Sequence, residues 1–320
     1  MLDAAESRAT AEETGVRSAP LGLLRAPAAR SRLLLVANAN ASGLGGKRQA
    51  VDAAASLLRG FGARVETRLT DDPRELDGLV SEEERRVVLI GGDGTLHAVA
   101  NVHGHKPEIA VLPRGRANNV ARALGVPLDL RSAARLAVQG IAHPLDGIAV
   151  EAPELSLTAI EGVSLGFHAQ ARARYHGVNS ADTAAGAAAA LSAFAHFEPI
   201  SVALEIDGDV EVRRLGQLFV LNFPFFGPRL PVARGADPGD GALEVVEIDA
   251  VGRSGLALEL ARLRRGTHLG HRGARIRTAS RIRIATAGQS PVVADTTIIA
   301  RGPVELAVRP RTIRVVGPGR

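Results

Sequence analysis

Short apolar runs recur along the first half of the chain and constrain its fold more than any other feature. They occupy residues 33–37, 86–90 and 109–112, and residues 64–69 alternate between polar and apolar side chains. A strand has an almost continuous apolar sequence when both of its faces are buried, as in a parallel sheet covered by helices. Helix-length segments separate the runs, so the sequence predicts a doubly wound, parallel α/β domain.

The pattern changes after about residue 145, where strand-length segments follow one another with turn signals between them. Residues 184–195 form an alanine-rich helical segment, and the sequence around Asp207-Gly208-Asp209 is typical of a hairpin turn. The predicted strands are 156–166, 201–206, 217–223, 242–248, 275–285 and 312–316. This part predicts an antiparallel β-sandwich domain. We therefore expect a flexible N-terminal arm over 1–30, the α/β domain over 31–145 and the β-sandwich over 146–320.

Composition excludes several classes of protein. The 320 residues carry a net charge of +5 and include no cysteine, which rules out disulfide frameworks, thiolate zinc sites and cysteine nucleophiles. The sequence contains neither a signal peptide pattern nor a run long and apolar enough to span a membrane, so we expect a cytoplasmic protein. With only 3% aromatic residues, binding of nucleic acid is not expected.

A basic segment near the C-terminus has two interpretations. Its arginines are residues 262, 264, 265, 272, 275, 277, 281 and 283, with no acidic residue between the first and the last. Such a segment could bind anionic lipid, nucleic acid or a polyphosphate. An ordinary solvated face of a helix and strands is an equally good interpretation.

A glycine-rich loop follows the predicted strand at 86–90. It consists of Gly91, Gly92, Asp93, Gly94 and Thr95, and Leu96 and His97 continue into a predicted helix. Glycines let the backbone approach a ligand closely, and the N–H groups at a helix start can face a phosphate. The carboxylate would repel a bare phosphate, which favours a phosphate chelated by a cation, such as Mg-nucleotide. The alternative is a plain strand–turn–helix with Asp93 as the helix N-cap.

Two further polar loops follow predicted strands. Asn38, Asn40, Ser42 and Gly43 follow the first strand, and residues 113–119, which include Arg116 and Asn118, follow the fourth. The carboxyl ends of parallel strands share one edge of a sheet, which is where open α/β sheets bind ligands. Either loop alone would be an ordinary turn. Together with the glycine-rich loop they predict a nucleotide-binding cleft.

At these motifs the chain resembles the bacterial diacylglycerol-kinase-like lipid kinases, relatives of sphingosine and ceramide kinases. Their nucleotide domain is shared with NAD kinases and phosphofructokinases. The resemblance runs from about residue 33 to residue 316. It rests on GGDGTLHA, PRGRANNVARALGVP and VSLGFHAQA, and on segments 221–248 and 264–271. It implies that 31–145 is a kinase catalytic domain and that 146–320 is a β-sandwich domain for a lipid substrate.

The resemblance also implies roles for particular residues. The loop from Gly91 to His97 would hold the phosphates of ATP, with Asp93 at its centre and as a catalytic residue, and Thr70 would contact the nucleotide. Asp237, Asp240 and the carbonyl of Ala242 would hold a structural Mg²⁺, whereas the residues alone favour a simple turn here. The acceptor would be a lipid hydroxyl that enters between the domains. It would be flanked by Phe223, Phe225 and Phe226, which are equally core residues.

Three positions depart from the family pattern. Arg116 replaces the threonine that usually contacts nucleotide, and a guanidinium there could bind phosphate or fill the space. Ala98 stands where a glutamate is frequent. The Asp-Gly-Glu motif, which supplies the presumed general base, is Asp295-Thr296-Thr297 here, and threonine cannot accept the proton at neutral pH. Asp295 and Asp93 are the remaining candidates for the base.

Three functions follow as hypotheses. The first is an ATP- and Mg²⁺-dependent kinase of a lipid hydroxyl, with diacylglycerol as the first substrate to test, in peripheral contact with the inner membrane surface. The second is a catalytically degenerate regulatory protein that binds nucleotide or anionic lipid. The third is a kinase of a soluble alcohol. Whether the chain is a monomer or a homodimer stays open.

Overall fold

The computed structural model describes residues 31–38, 47–70, 75–81, 83–153, 155–174, 183–249, 252–286, 290–299 and 303–319. The predicted N-terminal arm, and Asn40, Ser42 and Gly43 of the first loop, lie outside the described residues.

The first part of the chain alternates strands and helices, as predicted. Its elements are β1 (Arg32–Asn38), α1 (Lys47–Gly60), β2 (Arg64–Thr70), α2 (Glu75–Val80), β3 (Arg86–Gly91), α3 (Asp93–Ala100), β4 (Glu108–Pro113), α4 (Asn119–Ala123) and α5 (Leu130–Gln139). The strands pair in the order β2-β1-β3-β4, and every pair is parallel. The predicted parallel α/β region is therefore confirmed.

The continuous apolar runs arise because helices cover both faces of this sheet. In β1, Leu33 and Leu35 pack on the side of α1 and α5, whereas Leu34 and Val36 pack with residues of α2 and α3. Side chains alternate between the two faces of a strand, so two buried faces require apolar residues at consecutive positions.

The second part of the chain is mostly antiparallel. Its elements are β5 (Ile141–Ala152), β6 (Leu155–Ala159), β7 (Gly162–Gly166), α6 (Phe167–Arg174), α7 (Thr183–Ala195), β8 (Ile200–Ile206), β9 (Asp209–Leu221), β10 (Leu243–Asp249), α8 (Arg253–Arg265), a 3₁₀ turn (His268–Gly270), β11 (Ala274–Ala279), β12 (Arg281–Thr286), β13 (Val292–Ala294), β14 (Thr297–Ile299) and β15 (Val304–Gly317). Inward side chains from most of these strands share one apolar core. The hairpin between β8 and β9 has positive φ at Asp207 (50°) and Gly208 (100°), as a two-residue turn of this kind requires.

Two predicted strands are each divided in the structure. The segment 156–166 forms β6 and β7, because the N–H groups of residues 160–162 bind the side chain of Asp295 instead of a neighbouring strand. The segment 275–285 forms β11 and β12. The division falls at Ser280, whose N–H binds the Asp207 carboxylate. After it, the pairing changes from β10 to β8 and β15.

Two long strands join the two parts. β5 and β15 pair antiparallel over most of their length, and Arg314 and Val315 near the end of β15 pair parallel with β4. The predicted strand 312–316 thus lies beside the α/β sheet, and the expected boundary at 145/146 falls inside β5. β15 thus returns to the sheet of the first part. The chain therefore passes between the two parts at two places, once in β5 and once in β15.

Candidate functional site

The four N-terminal strands end side by side. Asn38 at the end of β1 lies opposite Thr70 at the end of β2, and Gly91 at the end of β3 lies opposite Pro113 at the end of β4. β1 and β3 are in register one residue earlier, with Ala37 opposite Ile90. The ends of the four strands therefore lie at a single edge of the sheet, as the sequence predicted, and the described loops after β3 and β4 leave the sheet there.

The loops after β3 and β4 approach each other backbone to backbone. A Cβ atom added to Gly92 would lie 2.7 Å from the Cα atom of Gly115, which is closer than packed atoms allow. Asn118 fixes the second loop, because its Oδ1 accepts from the Gly115 N–H (2.9 Å) and its Nδ2 donates to the Gly115 carbonyl (2.8 Å). Asn118 itself has φ of 52°, a conformation that asparagine tolerates. The result is a backbone-lined edge with no side chain between the two glycines.

Asp93 joins the same two loops through its side chain. Its two carboxylate oxygens accept from the N–H groups of Asn119 and Val120, at 3.1 Å each, and so cap the start of α4. The N-cap of its own helix is Gly92, so the N-cap role considered for Asp93 falls on the neighbouring helix instead. Burial raises the pKa of Asp93, the two N–H donors oppose that shift, and the negative charge of Asp295 adds to it.

The other residues expected at the nucleotide take different positions. The Thr70 hydroxyl is buried at the strand edge and has no partner among the described residues. Arg116 is exposed and forms no hydrogen bond or ion pair within the part of the chain that the structure describes, so it does not close the edge. Gly94 is exposed, Thr95 is half-buried, and Leu96 is a core residue of α3.

Asp295 lies at the junction of the two parts rather than at an open surface. Its carboxylate accepts from the N–H groups of Ile160 (2.7 Å), Glu161 (2.9 Å) and Gly162 (2.9 Å). It also contacts Nδ1 of His97 on α3 at 2.8 Å. The side chain is 3% exposed, so this carboxylate is a buried acceptor for four donors.

Glu161 is a residue of this junction that the sequence did not suggest. Its Oε2 accepts from the Asn119 side-chain amide at 2.6 Å, and that amide also donates to the Gly227 carbonyl at 3.0 Å. Burial raises the pKa of Glu161 well above its ordinary value, and the negative charges of Asp93 and Asp295 raise it further. The sequence does contain a sign of it. Glu161 is an acid between the mostly apolar segments 157–160 and 163–165, where a charged residue is unusual.

The residues expected to hold Mg²⁺ form a tight turn. Asp237 Oδ1 accepts from the Gly239 N–H (3.1 Å), and Asp240 Oδ1 accepts from the Ala242 N–H (3.0 Å). Burial, together with the negative charges of Asp240 and Asp237, raises the pKa of Glu244 to about 7. Among the described residues no three or more histidine or acidic side chains are grouped to hold a metal. The turn provides carboxylates and a negative potential, which suit a hard cation.

The fold, with its glycine-rich sheet edge, is of the NAD kinase-like class, in which a parallel α/β domain is joined to an antiparallel β domain. Residues 32–150 match the diacylglycerol kinase catalytic domain, and residues 161–317 match the YegS C-terminal NAD kinase beta sandwich-like domain. The chain belongs to the diacylglycerol kinase-like family that contains the YegS-like lipid kinases.

Individual relatives agree with this assignment. The chain is 35% identical over 112 residues to the "Probable lipid kinase YegS-like" of Klebsiella pneumoniae (strain 342), an alignment of 33% of this chain and 38% of that protein. It is 34% identical over 105 residues to the protein of the same description from Stenotrophomonas maltophilia (strain K279a), covering 29% and 34%. The alignments thus span little more than a third of these relatives.

Solved structures share the whole fold. A diacylglycerol kinase from Bacillus anthracis str. Sterne superposes with a TM-score of 0.65 over 90% of this chain and 97% of that one, at 16% sequence identity. At this identity the likeness establishes the fold. Among the described helices none has the length and apolar character needed to cross a membrane.

Proposed function

We propose that this chain is an ATP- and Mg²⁺-dependent kinase that phosphorylates a lipid hydroxyl, with diacylglycerol as the first substrate to test. Its family consists of kinases, which use ATP. The observation that carries the proposal is the shared edge where β1 to β4 end and where Gly92 and Gly115 meet without intervening side chains. Phosphates need this access to backbone N–H groups.

The loops at this edge would act by positioning. Phosphoryl transfer requires little covalent chemistry from the protein, and most of its catalysis comes from alignment and charge stabilisation. Asp93 would hold the two glycine loops at a fixed separation through the start of α4. Arg116, exposed on the second loop, could donate to phosphate oxygens through its guanidinium.

The metal would have a supporting role away from this edge. Asp237 and Asp240, with the Ala242 carbonyl, would hold Mg²⁺ in the turn before β10. When bound, the ion would supply a fixed positive charge beside these aspartates and Glu244, whose pKa is raised by burial and, further, by the negative charges of Asp240 and Asp237. The same residues also fit a simple turn, since both aspartates accept from N–H groups within it.

The acceptor would approach between the two parts of the molecule. Contacts between His97 and Asp295 and between Asn119 and Glu161 hold the parts together beside the sheet edge. Phe223 and Phe226 are buried core residues, which leaves the half-buried Phe225 as the aromatic residue of this segment that can face an acceptor.

A transfer assay tests the proposal. The full chain is incubated with γ-labelled ATP and Mg²⁺, with micelles of diacylglycerol and of other hydroxyl lipids, and with soluble alcohols as a separate arm. We expect label in a lipid product and loss of transfer when Mg²⁺ is chelated. Transfer only to soluble alcohols would replace the lipid with a small acceptor. Absence of transfer to every acceptor across several pH values would overturn the kinase proposal.

A second candidate is a protein that binds nucleotide or anionic lipid without transfer. It is favoured by one observation: Asp295 is fully engaged as an acceptor, and Thr297 stands where the family has its base. On this alternative, the double substitution Thr296→Gly and Thr297→Glu leaves transfer absent, while ATP still raises the melting temperature. Transfer by the unmodified chain would exclude it.

Docking to an anionic membrane is a further part of the proposal. Four arginines of the basic segment are paired with acids: Arg262 with Glu259 on the same helix, and Arg275, Arg277 and Arg283 with Asp249, Glu247 and Glu305 on neighbouring strands. Arg264 and Arg265 at the end of α8 are exposed and lack an ion pair among the described residues. Leu258, 51% exposed, lies on the same helix. Docking would therefore centre on α8.

Vesicle flotation tests this surface. The chain should float with vesicles containing phosphatidylglycerol and dissociate as salt rises, because ionic strength screens surface charge. The double variant Arg264→Glu, Arg265→Glu should float less, whereas Arg48→Glu, an exposed site on α1, should behave as wild type. Flotation insensitive to salt and to the double substitution would contradict a role for α8.

A further inference from the structure

His97 and Asp295 form a hydrogen-bonded pair whose orientation is fixed from the Asp295 side. The Asp295 carboxylate already accepts three backbone N–H groups and lies 2.8 Å from Nδ1 of His97. A carboxylate held by N–H donors is an acceptor, so Nδ1 of the imidazole carries the hydrogen. Nε2 of the neutral ring then has its lone pair available, as in other histidines oriented by a carboxylate.

His97 is close in sequence to the glycine-rich loop that would hold the nucleotide. His97 is on the second turn of α3, directly after the glycine-rich loop, and its side chain is 14% exposed. Its Nε2 has no hydrogen-bond partner among the described residues. Thr297, which replaces the glutamate implied by the family, is two residues after the Asp295 that binds His97.

The other acids at the junction are less suitable as bases. Both oxygens of Asp93 accept from the start of α4, and Glu161 is buried behind Asn119 with a pKa raised well above its ordinary value. The charges of Asp93, Glu161 and Asp295 interact across this junction, and the Arg172 guanidinium donates to the carbonyl of Thr296 beside them.

We infer that His97 is the general base of the proposed kinase reaction and that Asp295 is its positioning residue. Nε2 takes the proton of the acceptor hydroxyl as the hydroxyl oxygen forms a bond to the γ-phosphorus of ATP. The bond from that phosphorus to the bridging oxygen breaks, ADP leaves, and the proton passes from the imidazolium to solvent. The inference deepens the proposed function and rests on it.

The test compares His97→Asn with wild type in the lipid transfer assay. Asparagine can still donate to Asp295 but has no basic nitrogen, so kcat should fall about 10²–10⁴-fold, the usual contribution of a general base. The rise in activity from acidic to neutral pH should disappear in the variant. ATP should raise its melting temperature as it does that of wild type. His103→Asn, at a 91% exposed side chain just beyond α3, is the matched control and should keep full activity.

Two further variants separate chemistry from structure. In His97→Ala, added imidazole should restore part of the transfer, because it can occupy the space and accept the proton. In Asp295→Asn, kcat should fall while the KM for ATP stays unchanged, because the amide no longer fixes the hydrogen on Nδ1 and so no longer keeps Nε2 free to accept the proton. A purely structural loss would lower kcat equally at every pH.

The outcomes distinguish this inference from the function on which it rests. If the wild type transfers phosphate and His97→Asn keeps the same kcat and pH profile, the role of His97 is overturned and the proposed kinase function is not. Loss of activity in His97→Ala without imidazole rescue, combined with an unchanged kcat in Asp295→Asn, assigns the pair a structural role and also overturns it. Absence of transfer by wild type overturns the proposed function and the base together.

Discussion

Replacing Asp295 with alanine is expected to lower the free energy of unfolding by about 3–5 kcal/mol, because each buried donor left without its acceptor costs about 1–3 kcal/mol. The substitution leaves the N–H groups of residues 160–162 and Nδ1 of His97 without their acceptor at a buried position. Each buried donor left unsatisfied costs free energy. Alanine must also adopt the φ of 48° that Asp295 has, which aspartate tolerates better.

Urea unfolding of the full chain measures this effect. Thr296→Ala, at the exposed neighbouring position of the same turn, is the matched control and should change stability by no more than about 0.5 kcal/mol. If Asp295→Ala were no more destabilising than this control, the carboxylate would not hold β7, β13 and α3 together.

Replacing Asp93 with alanine is expected to reduce phosphotransfer by about 10²-fold or more. The substitution removes the acceptor for the N–H groups of Asn119 and Val120, so the loop that contains Gly115 loses its fixed position against Gly92. A misplacement of about 1 Å at a phosphate-positioning loop is sufficient for such a loss. The stability cost should be only about 1 kcal/mol, that of a lost helix cap.

Asp129→Ala provides the matched control for this prediction. Asp129 caps α5 by accepting from the Ser132 N–H at 2.8 Å, so its loss should cost similar stability. It belongs to neither glycine loop, and transfer should therefore be unchanged. Equal effects of the two substitutions on kcat would show that Asp93 acts only through stability.

The sequence was sufficient to predict the parallel sheet and the common edge at which its strands end. Both faces of β1, β3 and β4 are buried, and this produces a local apolar run that can be recognised without any tertiary information. Parallel strands place their carboxyl ends together, so the convergence of the loops followed from the fold class. The hairpin at Asp207-Gly208 was likewise encoded locally, by residues that accept positive φ.

The junction between the two parts could not be predicted in the same way. His97 and Asp295 are 198 positions apart, and Asn119 and Glu161 are 42 apart, so no local pattern links either pair. The division of segment 156–166 has the same origin, because a distant carboxylate takes the N–H groups that a continuous strand would use. The return of β15 to β4 depends on only two paired positions, Arg314 and Val315.

Hydrogen–deuterium exchange with and without MgATP tests most directly whether the nucleotide binds at the edge where β1 to β4 end. The account predicts slower exchange of backbone amides in residues 91–95 and 114–119, with no change in the hairpin at residues 207–209. Unchanged exchange in both loops at saturating MgATP, or protection confined to the turn at residues 237–242, would contradict it.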